Sequence, residues 1–136
     1  MAEYRTTATI QVEGESYASA SCNVHAYYDE ENPSEIFLDL EVLDNEDNRV
    51  ELSYKFTEEA GNLNISFLRT GDPAVDYSIC VAGKVASNVG QAAWECYKTT
   101  NSLRDFWNCL KTKAPSIGFN AAKALLTCLR KLISLD

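Results

Sequence analysis

Closely spaced carboxylates are the side chains of this sequence most capable of chemistry. Asp39 and Glu41 alternate along one apolar-polar segment, and Asp44, Glu46 and Asp47 follow in the polar turn DNEDN. Neighbouring carboxylates can divide the roles of general acid and base, and clusters of them can bind Ca²⁺. The turn lacks the glycine and the final glutamate that an EF-hand loop requires. We therefore expect a solvated acidic surface, with no metal site and no other cofactor.

Nucleophilic and general-base catalysis have weaker support. The single histidine, His25, falls on the polar face of a predicted strand, where a solvated or hydrogen-bonded role is more common than catalysis. No serine occupies a GxSxG turn, and Gly83-Lys84 lies inside a predicted helix, whereas a phosphate-binding loop joins a strand to a helix. The residues favour a protein that is not an enzyme.

Five cysteines are spread along the chain without a CxxC pair or a Cys/His cluster, which argues against a zinc site. Cys80 and Cys96 share one predicted helix and lie about 24 Å apart by helical rise, too far to bridge each other. We expect buried free thiols. The alternative is that Cys96, Cys109 and Cys128, one on each predicted helix, form disulfides in an oxidising compartment.

The charge of the chain changes sign along its length. Residues 1–76 hold 17 acidic and 4 basic side chains, whereas residues 77–136 hold 3 and 8, so the net charges are −13 and +5 and the total is −8. This asymmetry favours attraction between the halves or binding to a charged partner. Direct binding to nucleic acid is not expected, because it needs a concentrated basic surface.

Length and composition fit one globular domain over residues 1–136, with 46% hydrophobic and 24% charged residues. No run of 18 apolar residues is present, and the first residues lack the basic region and apolar block of a secretory signal. We predict a cytoplasmic protein, with secretion as the alternative if a signal peptide has been removed.

The first half of the chain alternates apolar and polar residues with the period of β-strands. Five strands are predicted within residues 4–69, and short connections make them an antiparallel meander. One face of such a sheet can stay open to solvent, and the other needs cover.

After residue 72 the hydrophobic period becomes helical. Asp72 and Pro73 suit a helix start, Ser102 and Asp105 resemble a helix cap, and Pro115 is expected to end a helix. Three helices are predicted, at about 73–98, 102–112 and 117–134. The predicted fold class is α+β, with an acidic β-rich half (1–71) covered on one face by a basic helical half (72–136).

A strip of small residues runs along the first predicted helix. Ala82, Ala86 and Gly90 recur at every fourth position on its apolar side with Ile79, and Trp94 lies beside them. We expect the strip to pack inside the protein, since internal glycines weaken a helix unless packing compensates. The alternative is a groove for a partner helix, with Trp94 as a contact.

The predicted function is a non-catalytic protein-binding module that engages a basic protein partner, of the inhibitor, adaptor or toxin-immunity kind. Its predicted contacts are the acidic sheet face, the acidic turn and one tryptophan: Asp39, Glu41, Asp44, Glu46, Asp47, Glu51 and Trp94. The alternative is a membrane- or lipid-associated protein whose basic amphipathic helix 117–134 is kept soluble by the acidic half. A third interpretation, an enzyme or small-ligand carrier, requires an apolar cavity on the order of several hundred cubic ångströms between sheet and helices. The oligomeric state is not fixed by the sequence.

Overall fold

The protein is a five-stranded antiparallel sheet followed by two helices. The structure, a computed structural model, describes residues 1–12, 18–70 and 76–129. The strands pair in chain order and are β1 (Ala2–Val12), β2 (Ala18–Asp29), β3 (Asn32–Asp44), β4 (Arg49–Glu59) and β5 (Asn62–Thr70). The helices are α1 (Asp76–Thr99) and α2 (Leu103–Cys128). The predicted α+β fold is confirmed, while the helix start at Asp72 and Pro73 and the predicted helical residues 130–134 lie outside the described residues.

Strand alternation decides which face of the sheet the helices cover. On β2, β3 and β4 every second side chain is buried beneath the helices, and the residues between them are more exposed. The inner side chains form one hydrophobic cluster with those of both helices. Among its fully buried members are Val24, Leu38, Leu40, Leu52, Phe56, Leu110 and Leu125.

The two helices cover the inner face unequally. α2 packs against β1, β2 and β3, whereas α1 packs mainly against α2 and only lightly against β4 and β5. A close approach at Gly118 seats α2 on the sheet, because a Cβ there would lie 3.0 Å from Val24 Cγ2 and 3.2 Å from Ala8 Cβ. The inner side of β5 is less covered, so Ile65 and Phe67 remain exposed.

One continuous helix replaces the second and third predicted helices. α2 begins after Ser102, whose Oγ accepts a hydrogen bond from the Asp105 amide at 3.1 Å as the sequence predicted. It then passes through Pro115 without ending. A proline inside a helix costs about 3 kcal/mol. Here Pro115 is exposed while Ala114 and Ile117 are buried, so an unbroken apolar stripe on both sides of it favours continuation.

α1 buries most of the apolar face that the sequence predicted, with two exceptions. Val81, Val85 and Val89 are buried, in keeping with a helical repeat, but Ile79 is 65% exposed and Ala86 is also exposed. The prediction that the small-residue strip packs inside the protein is therefore wrong at Ala86. The reason is that the valine row faces the core, which turns Ile79 and Ala86 toward solvent, while Ala82 and Gly90 are partly buried.

Two disulfides join α1 to α2, which corrects the expectation of free thiols. Cys80 pairs with Cys128 and Cys96 pairs with Cys109, with Cα–Cα distances of 5.8 and 5.5 Å. Because the helices are antiparallel, each bond links the start of one helix to the end of the other. Cys80 and Cys96 do not bridge each other, as helical rise predicted, and Cys22 is a buried free thiol.

Candidate functional site

A cleft of about 570 Å³ opens where the end of the sheet meets the connection between the helices. Its volume lies in the range of roughly 300–1,000 Å³ that small-molecule sites occupy. The walls come from the start of β3, the end of β4, the start of β5 and the α1–α2 corner. They are lined by Pro33, Ser34, Phe56, Thr57, Glu58, Leu63, Tyr97, Thr100, Asn101, Ser102, Leu103 and Phe106.

The floor of the cleft is apolar and rigidly supported. Phe56 is fully buried on β4, and Phe106 on α2 is 3% exposed, with the two ring centroids 5.7 Å apart. Leu63 and Leu103 are partly buried and pack against the same core. A ligand that covers these side chains removes further apolar surface from water, which favours binding.

The helical wall of the cleft is closed by a disulfide. Its residues all lie between Cys96 and Cys109, which are bonded to each other. The Thr100 hydroxyl donates to the Cys96 carbonyl at 2.7 Å, and Ser102 caps α2. These constraints fix the corner, so the wall is formed before any ligand arrives.

Tyr97 ties this corner to the sheet. Its hydroxyl donates to the Gly61 carbonyl at 2.6 Å, in the β4–β5 turn. Ala60 and Gly61 have φ angles of 53° and 80°, and two positive φ values are typical of a tight two-residue hairpin. Burial, followed by the hydrogen bond and negative charge of Glu58, raises the pKa of Tyr97.

Of the described residues that line this cleft, Glu58 is the only one with a charged side chain. It lies on β4 opposite Leu63, at the end of the sheet. A second cavity of about 400 Å³ adjoins the cleft through Pro33 and Leu103, and Glu30 and Arg104 lie in its lining. The main cleft therefore presents one carboxylate, several neutral polar groups and an apolar floor.

The predicted acidic sheet residues lie on the opposite, outer face of the sheet. Glu41 and Glu51 are direct cross-strand partners, and the Arg49 guanidinium donates hydrogen bonds to both carboxylates. Glu41 also accepts from Asn23 Nδ2 at 2.9 Å. These carboxylates are thus already engaged within the protein.

Asp39, at the other end of the same face, contacts Tyr27. Burial first, and then the charge and hydrogen bond of Asp39, raise the pKa of Tyr27. The Tyr27 ring stacks on His25 with centroids 4.6 Å apart, and His25 Nε2 lies 3.6 Å from a Glu3 carboxylate oxygen. His25 is therefore part of a surface stack of rings.

The predicted acidic turn divides into structural and exposed carboxylates. Asp44 accepts from the Glu46 amide at 2.9 Å and from the Asn48 amide at 2.8 Å, so it organises the turn. Glu46 and Asp47 are exposed, and Asp47 has a φ of 66°. Trp94 is 54% exposed on α1, on the helical side of the molecule, so the structure does not join it to the acidic face.

The sequence did not predict the residues of the cleft. They come from three strands, two helices and the connection between the helices, and most of them are ordinary apolar or hydroxyl residues with no motif. The usable signal was the spacing of Cys96 and Cys109, which brackets the polar segment Thr100–Ser102 between two helices.

Several large apolar side chains are exposed at separate places on the described part of the protein. Phe67 and Leu68 on β5 are about half exposed, as is Phe119 on α2, and Ile79 begins the exposed side of α1. Phe67 and Ile79 lie on either side of residues 71–75, which are outside the described ranges.

Comparison with known proteins gives no assignment: no family model, curated protein or solved structure matches the chain. Neither described helix has the length and hydropathy needed to cross a membrane. Within the described ranges, no three His, Cys, Asp or Glu side chains are grouped so that they could hold a metal ion.

Proposed function

We propose that the protein binds a small, largely apolar molecule in the cleft between the sheet and the α1–α2 corner. The observation that supports this most directly is the cleft itself, about 570 Å³ in volume, with an apolar floor and a few polar groups around it. This geometry favours the third interpretation of the sequence, a small-ligand carrier.

Binding without chemistry fits the side chains that line the cleft. They include Glu58, Tyr97 and several hydroxyls, but no histidine, cysteine or lysine. Nucleophilic catalysis needs a nucleophile beside a base within hydrogen-bond reach, and the only ionised base among these lining residues is a carboxylate. We therefore propose that the protein binds its ligand without transforming it.

Binding to a basic protein partner remains a prediction that competes with this proposal. Such a partner would have to compete with Arg49 for Glu41 and Glu51, and Asp44 is occupied by its own turn. Glu46 and Asp47 lie on the exposed surface of this turn, which makes the turn the better contact for a basic surface.

Membrane association through 117–134 also remains a prediction. In the described part of that segment, Ala122, Leu125 and Leu126 are buried against the sheet. Release of the segment would require their exposure to water and a break in the packing between α2 and the sheet. The geometry therefore supports it less than ligand binding.

We propose an oxidising compartment for this protein. The two interhelical disulfides support this, because structural disulfides persist mainly outside the reducing cytosol. This favours the secreted alternative over the cytoplasmic location.

A neutral fluorescent dye tests the proposed function. N-phenylnaphthylamine should bind the native protein with increased emission, because it is apolar and uncharged at neutral pH. Asn101→Trp should remove most of this binding by filling the cleft, whereas Asn108→Trp, on the exposed surface of α2 and outside the lining, should leave it unchanged. Equal binding by the two variants, or no binding by the native protein, would contradict the proposal.

A further inference from the structure

The charge inside the cleft restricts which apolar molecules can bind there. Glu58 contributes one carboxylate to the lining, and no Lys, Arg or His is among the described residues that line the cleft. A ligand carboxylate would therefore meet a like charge next to an apolar floor, without a basic partner in the lining. Burying an unpaired charge is strongly unfavourable, so anionic ligands such as fatty acids are disfavoured.

The surface around the mouth of the cleft carries negative charge, as Glu58 does. The β2–β3 turn carries Asp29, Glu30 and Glu31, and Glu59 follows Glu58 at the end of β4. Strand order places both turns at the end of the sheet where the cleft opens. Two basic groups lie nearby: Arg104, which lines the adjoining cavity, and the N-terminal ammonium, 3.8 Å from Glu30 Oε1. A negative field at the mouth attracts cations and repels anions.

Glu58 also has acceptor capacity for a ligand. The neighbouring Tyr97 hydroxyl has one proton, which it can share between the Gly61 carbonyl at 2.6 Å and the Glu58 carboxylate. An ionised carboxylate offers about four lone-pair sites, so one hydroxyl neighbour does not saturate it. An ammonium group brings up to three N–H donors, and a bond between two ions is stronger than one between neutral groups.

We infer that the ligand is an organic amine: an apolar body that rests on Phe56, Leu63 and Phe106, and a protonated nitrogen that pairs with Glu58. This inference rests on the proposed function, because it assigns the chemistry of the molecule that the cleft binds. The neutral groups at Thr100–Ser102 line the opposite wall, where they can bind a further polar atom of the ligand.

Three probes of equal chain length separate this inference from the proposed function. Octylamine, octanol and octanoate carry a positive, a neutral and a negative head group at pH 7. Calorimetric titration of the full chain at low ionic strength should give octylamine an affinity about tenfold higher than that of octanol, and octanoate the weakest binding, since a tenfold change corresponds to one good charge-assisted contact.

Two charge-neutralising variants test whether Glu58 causes the preference for octylamine. Glu58→Gln should lower octylamine affinity to about that of octanol for the same variant, so that the preference for the amine is lost. Glu59→Gln makes the same change in net charge one residue away, outside the cleft lining, and should have little effect. Both side chains are exposed, so neither variant is expected to disturb folding.

The outcomes are distinguishable. Octanol binding with no preference for octylamine, or equal losses in the two variants, would overturn the amine assignment and leave the proposed function in place. Failure of both octanol and octylamine to bind would overturn the proposed function and the assignment together.

Discussion

Cys96 and Cys109 are bonded to each other with their Cα atoms 5.5 Å apart, and every helical residue that lines the cleft lies in the loop between them. The second bond, Cys80–Cys128, joins the same two helices at their other end. The pair of disulfides therefore offers a matched comparison between a bond that shapes the cleft and one that does not.

Removal of either disulfide should lower the stability of the protein, but only removal of Cys96–Cys109 should also weaken ligand binding. The first double variant, Cys96→Ser with Cys109→Ser, opens a loop whose ends are 13 residues apart in sequence. The second, Cys80→Ser with Cys128→Ser, opens a loop whose ends are 48 residues apart. Loop-closure entropy predicts losses of about 3 and about 4 kcal/mol in unfolding free energy, measured by urea denaturation. The first variant should also lose dye binding in the native state, whereas the second should retain it. Equal loss of binding would show that the corner is not shaped by its own disulfide.

The two faces of α1 should respond differently to truncation. Val81→Ala removes two methyl groups from a fully buried site and should cost about 2 kcal/mol. Ile79→Ala removes more apolar volume from a side chain that is 65% exposed and should change stability by less than about 0.5 kcal/mol. Chemical denaturation measures both. A larger loss of stability for Ile79→Ala than for Val81→Ala would contradict the exposed position of Ile79 and place its side chain in the core, as the sequence predicted.

Glycine substitutions test the close approach of α2 to the sheet. Gly118→Ala adds a Cβ 3.0 Å from Val24 Cγ2 and 3.2 Å from Ala8 Cβ, and neither neighbour can rotate away freely, so we expect a net loss of about 1 kcal/mol. Gly90→Ala adds a Cβ with no neighbour within 4 Å among the described residues and should stabilise by up to about 1 kcal/mol through helix propensity. Thermal melts that shift in the same direction for both would contradict the packing described for Gly118.

Arg49 should stabilise the sheet by separating two like charges. Glu41 and Glu51 face each other across β3 and β4, and Arg49 bridges them. Arg49→Gln should destabilise the protein by about 1 kcal/mol at low salt, and the loss should shrink in 1 M NaCl, where screening lengths are about 3 Å. Arg5→Gln, which removes an exposed bridge to Glu3 alone, is the control and should have a smaller effect. A loss at Arg49 that is independent of salt would argue against an electrostatic cause.

Stability should decline in alkaline solution because two inner-face groups resist ionisation. Burial, with a smaller contribution from Glu41, raises the pKa of Cys22 from 9.0 to about 12, and burial raises that of Tyr54 from 10.0 to about 12. Above pH 9 the unfolded chain loses these protons before the folded protein does, so unfolding is favoured as pH rises toward 12.

A single substitution checks the contribution of the thiol. Cys22→Ala should have a shallower decline in unfolding free energy between pH 9 and 11 than the native protein, whatever its stability at pH 7. Superimposable slopes for the two proteins over that range would exclude the buried thiol as a cause.

The sheet was predictable because its signal is local. Alternation in segments such as Ile36–Val42 marks a strand, and short polar turns such as Asp44–Asn48 leave little choice except a meander. The helices depended on tertiary packing, which sequence patterns do not contain. Pro115 indicated a helix end, yet buried residues on both sides of it keep α2 continuous. Ile79 fitted the apolar face of α1, yet the valine row occupies the core.

The candidate site was less predictable than the fold. Phe56 and Phe106 are 50 positions apart in sequence, and their contact depends on the crossing of α2 over the end of the sheet. Disulfide pairing likewise required the antiparallel placement of α1 and α2. The carboxylates that sequence spacing brought forward, such as Glu41 and Asp44, largely serve ion pairs and turns.

Chemical-shift mapping with octanol tests the central claim most directly. Titration of the ¹⁵N-labelled native protein should perturb the amides of Thr57, Glu58 and Leu63 together with those of the corner from Tyr97 to Phe106, and should leave the Asp44–Asn48 turn unchanged. Two results would contradict a ligand site between the sheet and the disulfide-closed corner. One is a set of perturbations centred on the exposed side chains Phe67, Leu68 and Ile79. The other is the absence of any perturbation up to the solubility limit of octanol.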